Sequence, residues 1–372
     1  MKVFSFFLAF LAILMAIYAA LHAAVYFSLV YFFQIVGPQN KEALAIALAI
    51  LGLGFIVASV LAHWGDNRLM RAYYFISGAW VGLLINILLT FALTWLVVLA
   101  GRFLGTSVPV QTLGIFAIVI ALAYTAYGAW SARSVKIKKM EIIIPNLPEH
   151  WKGKKIVHIA DIHLGYVFRD MFFSHVVEKI NEQNADLVAI TGDLFDGTNI
   201  DINWFIDPLN DIKATEGVYY VTGNHETYIG VEKVYEMLAK TNVKVLKDSL
   251  VQLDGIQLLG VEYPLHGQSK DVFTTIRHMD GHNDNMPRIL LLHEPVQIDR
   301  VKQLGVSLQL SGHTHRGQVF PLSFLTKLIY KKYHYGLIQE DDFSLYTTSG
   351  VGGWGPPIRT GAAPEIAVIT LR

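Results

Sequence analysis

Four long apolar segments crowd the first third of the chain, and only a bilayer gives all of them a place to be buried. They run from Phe4 to Val30, Ala43 to Ala62, Tyr73 to Ala100 and Val110 to Trp130. Each reaches the ~20 residues that a helix needs to cross a hydrocarbon core. Gly37-Pro38 punctuates the end of the first. That segment is too long for the apolar region of a signal peptide and lacks a small-residue cleavage site, so it is expected to remain as a span. Composition agrees: 53% of the 372 residues are hydrophobic and only 16% charged, an imbalance that points to a membrane part. Residues 1–134 are therefore expected to form a transmembrane domain with four spans, and residues 135–372 a separate domain.

Flanking charge sets the expected orientation. Lys2, Arg68, Arg71, Arg133, Lys136, Lys138 and Lys139 share one side of a four-span arrangement, whereas the other side has Lys41 and Arg102. This asymmetry predicts an integral multi-pass protein of the cell membrane with both termini, and the large C-terminal domain, in the cytoplasm. His22, Asn86, Thr90 and Thr94 lie within spans, where interhelical hydrogen bonding is the expected role. Ser131 to Lys139 reads as a short basic junction, suited to anionic headgroups or to fixing topology.

Beyond the junction the pattern changes to strands alternating with helical segments. Met140 to Ile144, Ser344 to Thr348 and Glu365 to Leu371 read as strands, Phe172 to Ile180 and Val231 to Ala239 as helices, and Asp254-Gly255 as a hairpin turn. The mixture predicts an α/β sandwich with more than one sheet. Five apolar runs end in oxygen or imidazole side chains: Ile156–Ala160 before Asp161 and His163, Leu187–Ile190 before Asp193, Val218–Val221 before Asn224 and His225, Ile289–Leu292 before His293, and Leu308–Leu310 before His313 and His315. Ligands of open α/β sheets gather at the carboxyl ends of strands, so one shared site is expected, with Asp193 at its centre bridging two metal ions. With no cysteine in the chain, thiolate ligands and disulfides are excluded. Imidazole with carboxylate suits Mn, Fe or Zn. Two such cations generate a hydroxide nucleophile from a bridging water and stabilise an in-line phosphoryl displacement. The formal net charge of zero gives no basic footprint, so no nucleic-acid partner is expected.

The set Asp161-x-His163, Gly192-Asp193, Gly223-Asn224-His225-Glu226, His293 and Gly312-His313-Thr314-His315 resembles the calcineurin-like metallophosphoesterases, with all five blocks in that family's order across residues 140 to 372. The stretches Leu310 to Gln318 and Gly350 to Pro357 look like its bacterial membrane-associated branch. The resemblance implies two central β-sheets flanked by helices. It also implies one metal on Asp161, His163, Asp193 and His315, a second on Asp193, Asn224, His293 and His313, and His225 as the catalytic histidine at the leaving oxygen. Some members of the family cleave UDP-diacylglucosamine.

The expected function is thus a membrane-anchored, dinuclear metal-dependent phosphohydrolase. Its substrate would carry a phosphomonoester, phosphodiester or pyrophosphate bond, and a bilayer anchor favours a lipid-linked one such as a phospholipid. An anchored nucleotide or cyclic-nucleotide phosphodiesterase is the alternative enzyme; a metal-dependent membrane sensor or transporter is the alternative of another class. Arg169 and Arg316 are candidate phosphate contacts or ordinary surface arginines. Trp354 is a candidate for the rim of the site. Tyr330, Tyr333 and Tyr335, with Phe320, Leu322, Phe324 and Leu325, form an apolar-aromatic stretch suited to receiving acyl chains, to lying on the bilayer or to local packing. His158 reads as a core group inside a strand, and His266, His278, His282 and His334 as loop residues, of which His266 is a further candidate to reach substrate.

Overall fold

The structure is a computed structural model, and its described residues are 2–372 except Thr198, His266, Gly267, His282 and Asp284. The chain divides into two compact units: Met1–Leu61 with Arg68–Ala129, and Ala62–Asn67 with Trp130–Arg372.

The first unit is four helices, α1 (Lys2–Phe32), α2 (Pro38–Leu61), α3 (Arg68–Phe103) and α4 (Val110–Ser131). All four are long and apolar enough to cross a membrane, and most of each candidate span faces outward rather than into the bundle. Pro38 opens α2, where its fixed φ and missing N–H do no harm. Val25, Phe32, Leu84, Phe91 and Ala121 form the interior. Two of the four polar groups expected to do so tie helices together: Asn86 Nδ2 donates to Thr125 Oγ1 at 2.9 Å, and Trp80 Nε1 donates to His22 Nε2 at 3.2 Å. Thr90 and Thr94 depart from expectation, because their hydroxyls donate to carbonyls of their own helix one turn back.

The second unit is a two-sheet sandwich. The first sheet has the order β1 (Lys136–Ile142), β12 (Glu365–Leu371), β2 (Lys155–Ile159), β3 (Leu187–Thr191), β4 (Gly217–Val221), β5 (Val243–Val245). The second runs β10 (Gly336–Glu340), β11 (Phe343–Thr347), β9 (Leu308–Ser311), β8 (Arg288–Leu292), β7 (Ile256–Val261), β6 (Ser249–Leu253). Strands β2 to β5 are parallel, as are β7, β8, β9 and β11. Antiparallel pairs occur at β12–β2, β10–β11 and the β6–β7 hairpin around Asp254-Gly255. Helices α5 (Asp170–Asn181), α6 (Ile206–Asn210), α7 (Asn224–Ile229), α8 (Val231–Leu238), α9 (Val272–Arg277), α10 (Ile298–Gln303) and α11 (Ser323–Tyr330) complete the unit.

Period-two alternation assigns the two faces of each strand. Leu187, Ala189, Ile289, Leu291, Leu308 and Leu310 point between the sheets with Trp151 and Tyr346. Leu290 and Leu292 point the other way, onto Val272, Ile276 and Val301 of the covering helices. Burial on both faces explains why these strands read as unbroken apolar runs. Strand β1 starts four residues before the expected Met140, because Lys136 to Lys139 pair in register with Glu365 to Val368. The basic junction is therefore partly a strand, and Lys138 Nζ donates to Tyr335 Oη at 3.1 Å. Residues 62–67 join this unit through Tyr166, whose hydroxyl lies 2.8 Å from the carbonyl oxygen of Ala62 and 2.6 Å from that of Gly65.

Candidate metal centre and active site

The parallel strands β2, β3 and β4 of one sheet and β8 and β9 of the other end side by side, and each delivers polar side chains to one buried point. Asp161 and His163 follow β2, Asp193 follows β3, Asn224 opens α7 after β4, His293 follows β8, and His313 and His315 follow β9. Five of these seven, Asp161, His163, Asp193, His313 and His315, have φ between 49° and 69°. That left-handed backbone is uncommon for residues with a Cβ, costs about 1–3 kcal/mol where it is strained, and clusters at functional sites. Here it turns each side chain back across the strand ends.

Two glycines make the convergence possible. Gly192, at φ 80°, leaves no room for a Cβ, which would stand 2.6 Å from Gly223 N and 2.6 Å from His293 Nδ1. Gly223 in turn packs against the Asp193 backbone and carboxylate.

The donors form two overlapping groups. In the first, Asp161, His163 and His315 converge, with His163 Nε2 and His315 Nε2 3.0 Å apart and Asp161 Oδ1 3.6 Å from the latter. In the second, His293 Nε2 lies 3.2 Å from Asn224 Oδ1, and His313 Nδ1 lies 2.9 Å from that same oxygen. Asp193 Oδ2 stands between them, 3.8 Å from His163 Nε2 and 3.3 Å from His293 Nε2. Facing imidazole nitrogens and carboxylate oxygens, all removed from water, are a donor set that fits divalent cations of intermediate softness.

The charge of these side chains agrees with such a donor set. Burial pushes the Asp161 carboxyl up to about 7 and drives His163 down to about 3 and His313 down to about 4. Burial also opposes ionisation of His293, yet the Asp193 carboxylate overrides it and raises that imidazole to about 10. Asp193 itself is held well below the ordinary carboxylate range despite its burial, chiefly by the charge of His293.

His225 borders both groups. Its Nδ1 is 3.0 Å from Asp196 Oδ1, its Nε2 is 4.0 Å from Asp193 Oδ2, and its ring is edge-on to His163. Burial lowers its basicity, but the hydrogen bond to Asp196 and the charges of Asp193, Asp196 and Glu226 carry it up to about 9. The Trp354 ring stands 6.5 Å from it.

Arg169 Nη1 lies 3.3 Å from Asp66 Oδ2, with the guanidinium over Trp204, and Arg316 covers the Tyr335 ring. His158 is buried, with Nε2 2.8 Å from Thr191 Oγ1. His278 and His334 lie outside the donor groups, and His266 and His282 lie outside the described residues.

Three residues support the donors in roles that sequence reasoning did not assign. Asp196, three positions after Asp193, holds His225. Glu226 accepts four backbone N–H bonds, from Asp193 (3.0 Å), Leu194 (2.9 Å), Phe195 (3.2 Å) and Gly223 (2.7 Å), and so welds the β3 and β4 loops together. Arg359 is buried, with Nη2 3.2 Å from His315 Nδ1 and its other nitrogens donating to the carbonyls of Gly352 and Ser349. Asp196 closely follows a recognised block and Glu226 closes one, so position offers a signal for both; Arg359 lies in a turn-rich loop with none.

Comparison with known proteins agrees with this geometry. The model of the calcineurin-like phosphoesterase family matches residues 154–317. An uncharacterized metallophosphoesterase of Helicobacter pylori is 38% identical over 240 residues, 63% of this chain and 64% of that one. A zebrafish (Danio rerio) transmembrane protein with metallophosphoesterase domain is 31% identical over 278 residues, 69% of this chain and 62% of that one. The chain thus spans just under two thirds of the length of these two relatives. The uncharacterized metallophosphoesterase YkuE of Bacillus subtilis is 31% identical over 276 residues, covering 70% of this chain and 95% of the relative. With the family's fold, its donor groups and its relatives in agreement, the chain belongs to the calcineurin-like phosphoesterases.

Proposed function

We propose that the protein is a membrane-anchored phosphohydrolase acting on a lipid-linked phosphate ester or pyrophosphate. The observation that carries this reading is the position of Asp193 Oδ2 between the two donor groups, within 4 Å of an imidazole of each. One cation would be held by Asp161, His163, Asp193 and His315, the other by Asp193, Asn224, His293 and His313. Such a pair, Mn, Fe or Zn by its nitrogen and oxygen donors, supplies an activated water and neutralises phosphoryl charge. His225 donates a proton to the departing oxygen, and Asp196 keeps its imidazole protonated and aimed. Glu226 and Arg359 hold the loops that carry these groups.

Four candidate spans in the same chain support a substrate that resides in a bilayer. The excess of basic residues at the N-terminus, between the second and third spans and after the fourth supports a cytoplasmic C-terminal unit. A sensor or transporter would have no use for a proton donor set beside a complete donor cluster. The test is turnover by full-length protein reconstituted with Mn, Fe or Zn, offered phospholipid, nucleotide-linked lipid and soluble nucleotide in parallel. Preference for a soluble nucleotide would overturn the lipid reading, and an active alkaline phosphatase fused to the C-terminus would overturn the cytoplasmic placement.

A further inference from the structure

Helix α11 is built inside out. Phe324, Leu325, Leu328 and Ile329 recur at the spacing of one helical face. That face is turned outward, with exposures of 66%, 53%, 77% and 59%. No residue of the helix is buried, and the half-buried ones turned inward are Ser323, Thr326 and Tyr330. A helix that completes a water-soluble fold does the reverse. Charge is equally one-sided. From Arg316 to Tyr335 the chain carries Arg316, Lys327, Lys331 and Lys332 and not one carboxylate; all four cations are exposed, and of these Lys332 pairs with Glu340 beyond the segment.

The inward face leads to the candidate centre. Tyr330 Oη donates to Glu294 Oε1 at 2.8 Å, and the Tyr330 ring meets that of His313 edge-on at 6.0 Å. One residue therefore separates an outward apolar surface from a cation donor.

We propose that α11 lies in the boundary between headgroups and acyl chains of a bilayer, apolar face inserted and lysines against anionic phosphates. This docks the candidate centre at headgroup level; the proposal rests on the lipid-ester reading and deepens it. An outward apolar stripe beside a cationic, carboxylate-free segment is the pattern of an interfacial helix. A second copy of the chain is the poorer occupant, because a two-fold contact would set like charges face to face.

The absence of cysteine makes the test direct. Leu328→Cys and, separately, Phe324→Cys would each carry an environment-sensitive dye in full-length protein, in nanodiscs of phosphatidylcholine and phosphatidylglycerol. The expected result is blue-shifted emission and roughly twofold or greater quenching by lipids bearing a nitroxide high on the acyl chain. A label at Glu236→Cys, on the exposed face of α8, stays water-like. Water-like, unquenched emission at both positions would overturn the proposal, as would an intermolecular disulfide through Leu328→Cys in place of quenching. The readout uses no turnover: an inserted helix in a protein that splits no phosphate ester leaves docking standing and removes the function, and an exposed helix in an active enzyme does the opposite.

Discussion

Asp196 Oδ1 lies 3.0 Å from Nδ1 of His225, while Asp193 Oδ2 approaches the other ring nitrogen at 4.0 Å. The imidazole is therefore clasped between two carboxylates. That clasp outweighs burial and extends the protonated form toward a pH of about 9. If protonated His225 assists departure of the leaving oxygen, activity is present below its pKa and lost as pH rises through it. Asp196→Asn removes one carboxylate, lowers that pKa and moves the alkaline limb of the rate profile to lower pH. His225→Ala should lower turnover by about 10²–10⁴ with metal content unchanged. Rate profiles and metal analysis check both, and an alkaline limb unmoved in D196N would be decisive against the clasp.

Asp193 faces both donor groups, whereas His313 faces one. Asp193→Asn should thus weaken both cations, and His313→Ala mainly one. Elemental analysis of the purified variants would show stoichiometries falling from two toward zero and toward one, respectively. Equal losses would mean that Asp193 does not bridge.

Metal loading should release protons. At neutral pH the cation-free site holds a proton on His293, raised to about 10, and partial protonation on Asp161, raised to about 7. A cation competes with both, so apparent affinity rises with pH until those groups are deprotonated. Calorimetric titrations in two buffers of unlike ionisation enthalpy should differ by the heat of one to two protons; buffer-independent heats would contradict the assignment.

Much of this site could be read from the chain because its logic is local. Each apolar run buries on both faces and so appears in sequence without interruption, and the side chains just past it must lie at a strand end. Asp161, Asp193, His293 and His313 were legible on those grounds, and the turn at Asp254-Gly255 by its composition. What escaped notice depends on long-range return of the chain. Arg359 reaches His315 across 44 residues, and the short β10 comes directly after a stretch rich in tyrosine and lysine. The stretch that forms α11 reads as apolar, aromatic and suited to a bilayer, but not as a helix, because its apolar residues serve no interior. Lys136 to Lys139 read as a linker, since a strand partnered by Glu365 to Val368 gains its order from the far end of the chain.

Glu226 is predicted to matter for stability more than for chemistry. Its buried carboxylate accepts four N–H groups. Glu226→Ala strands those donors away from water and should cost on the order of 3 kcal/mol or more. Thermal melts of detergent-solubilised protein would show a large drop for alanine and a smaller one for Glu226→Gln, which keeps one acceptor oxygen. A variant that melts like the parent would rule out this structural role.

Residues 62–67, strung between two apolar helices, are assigned by their contacts to the unit that carries the donors, where Tyr166 and Arg169 receive them. Tyr166 stands only three positions beyond His163. Severing the polypeptide near residue 130 would therefore amputate a strap from the very segment that presents a donor, and would bare a phenol and a guanidinium. The excised fragment would be less than the whole of its own unit, so assays of it would describe a wounded molecule.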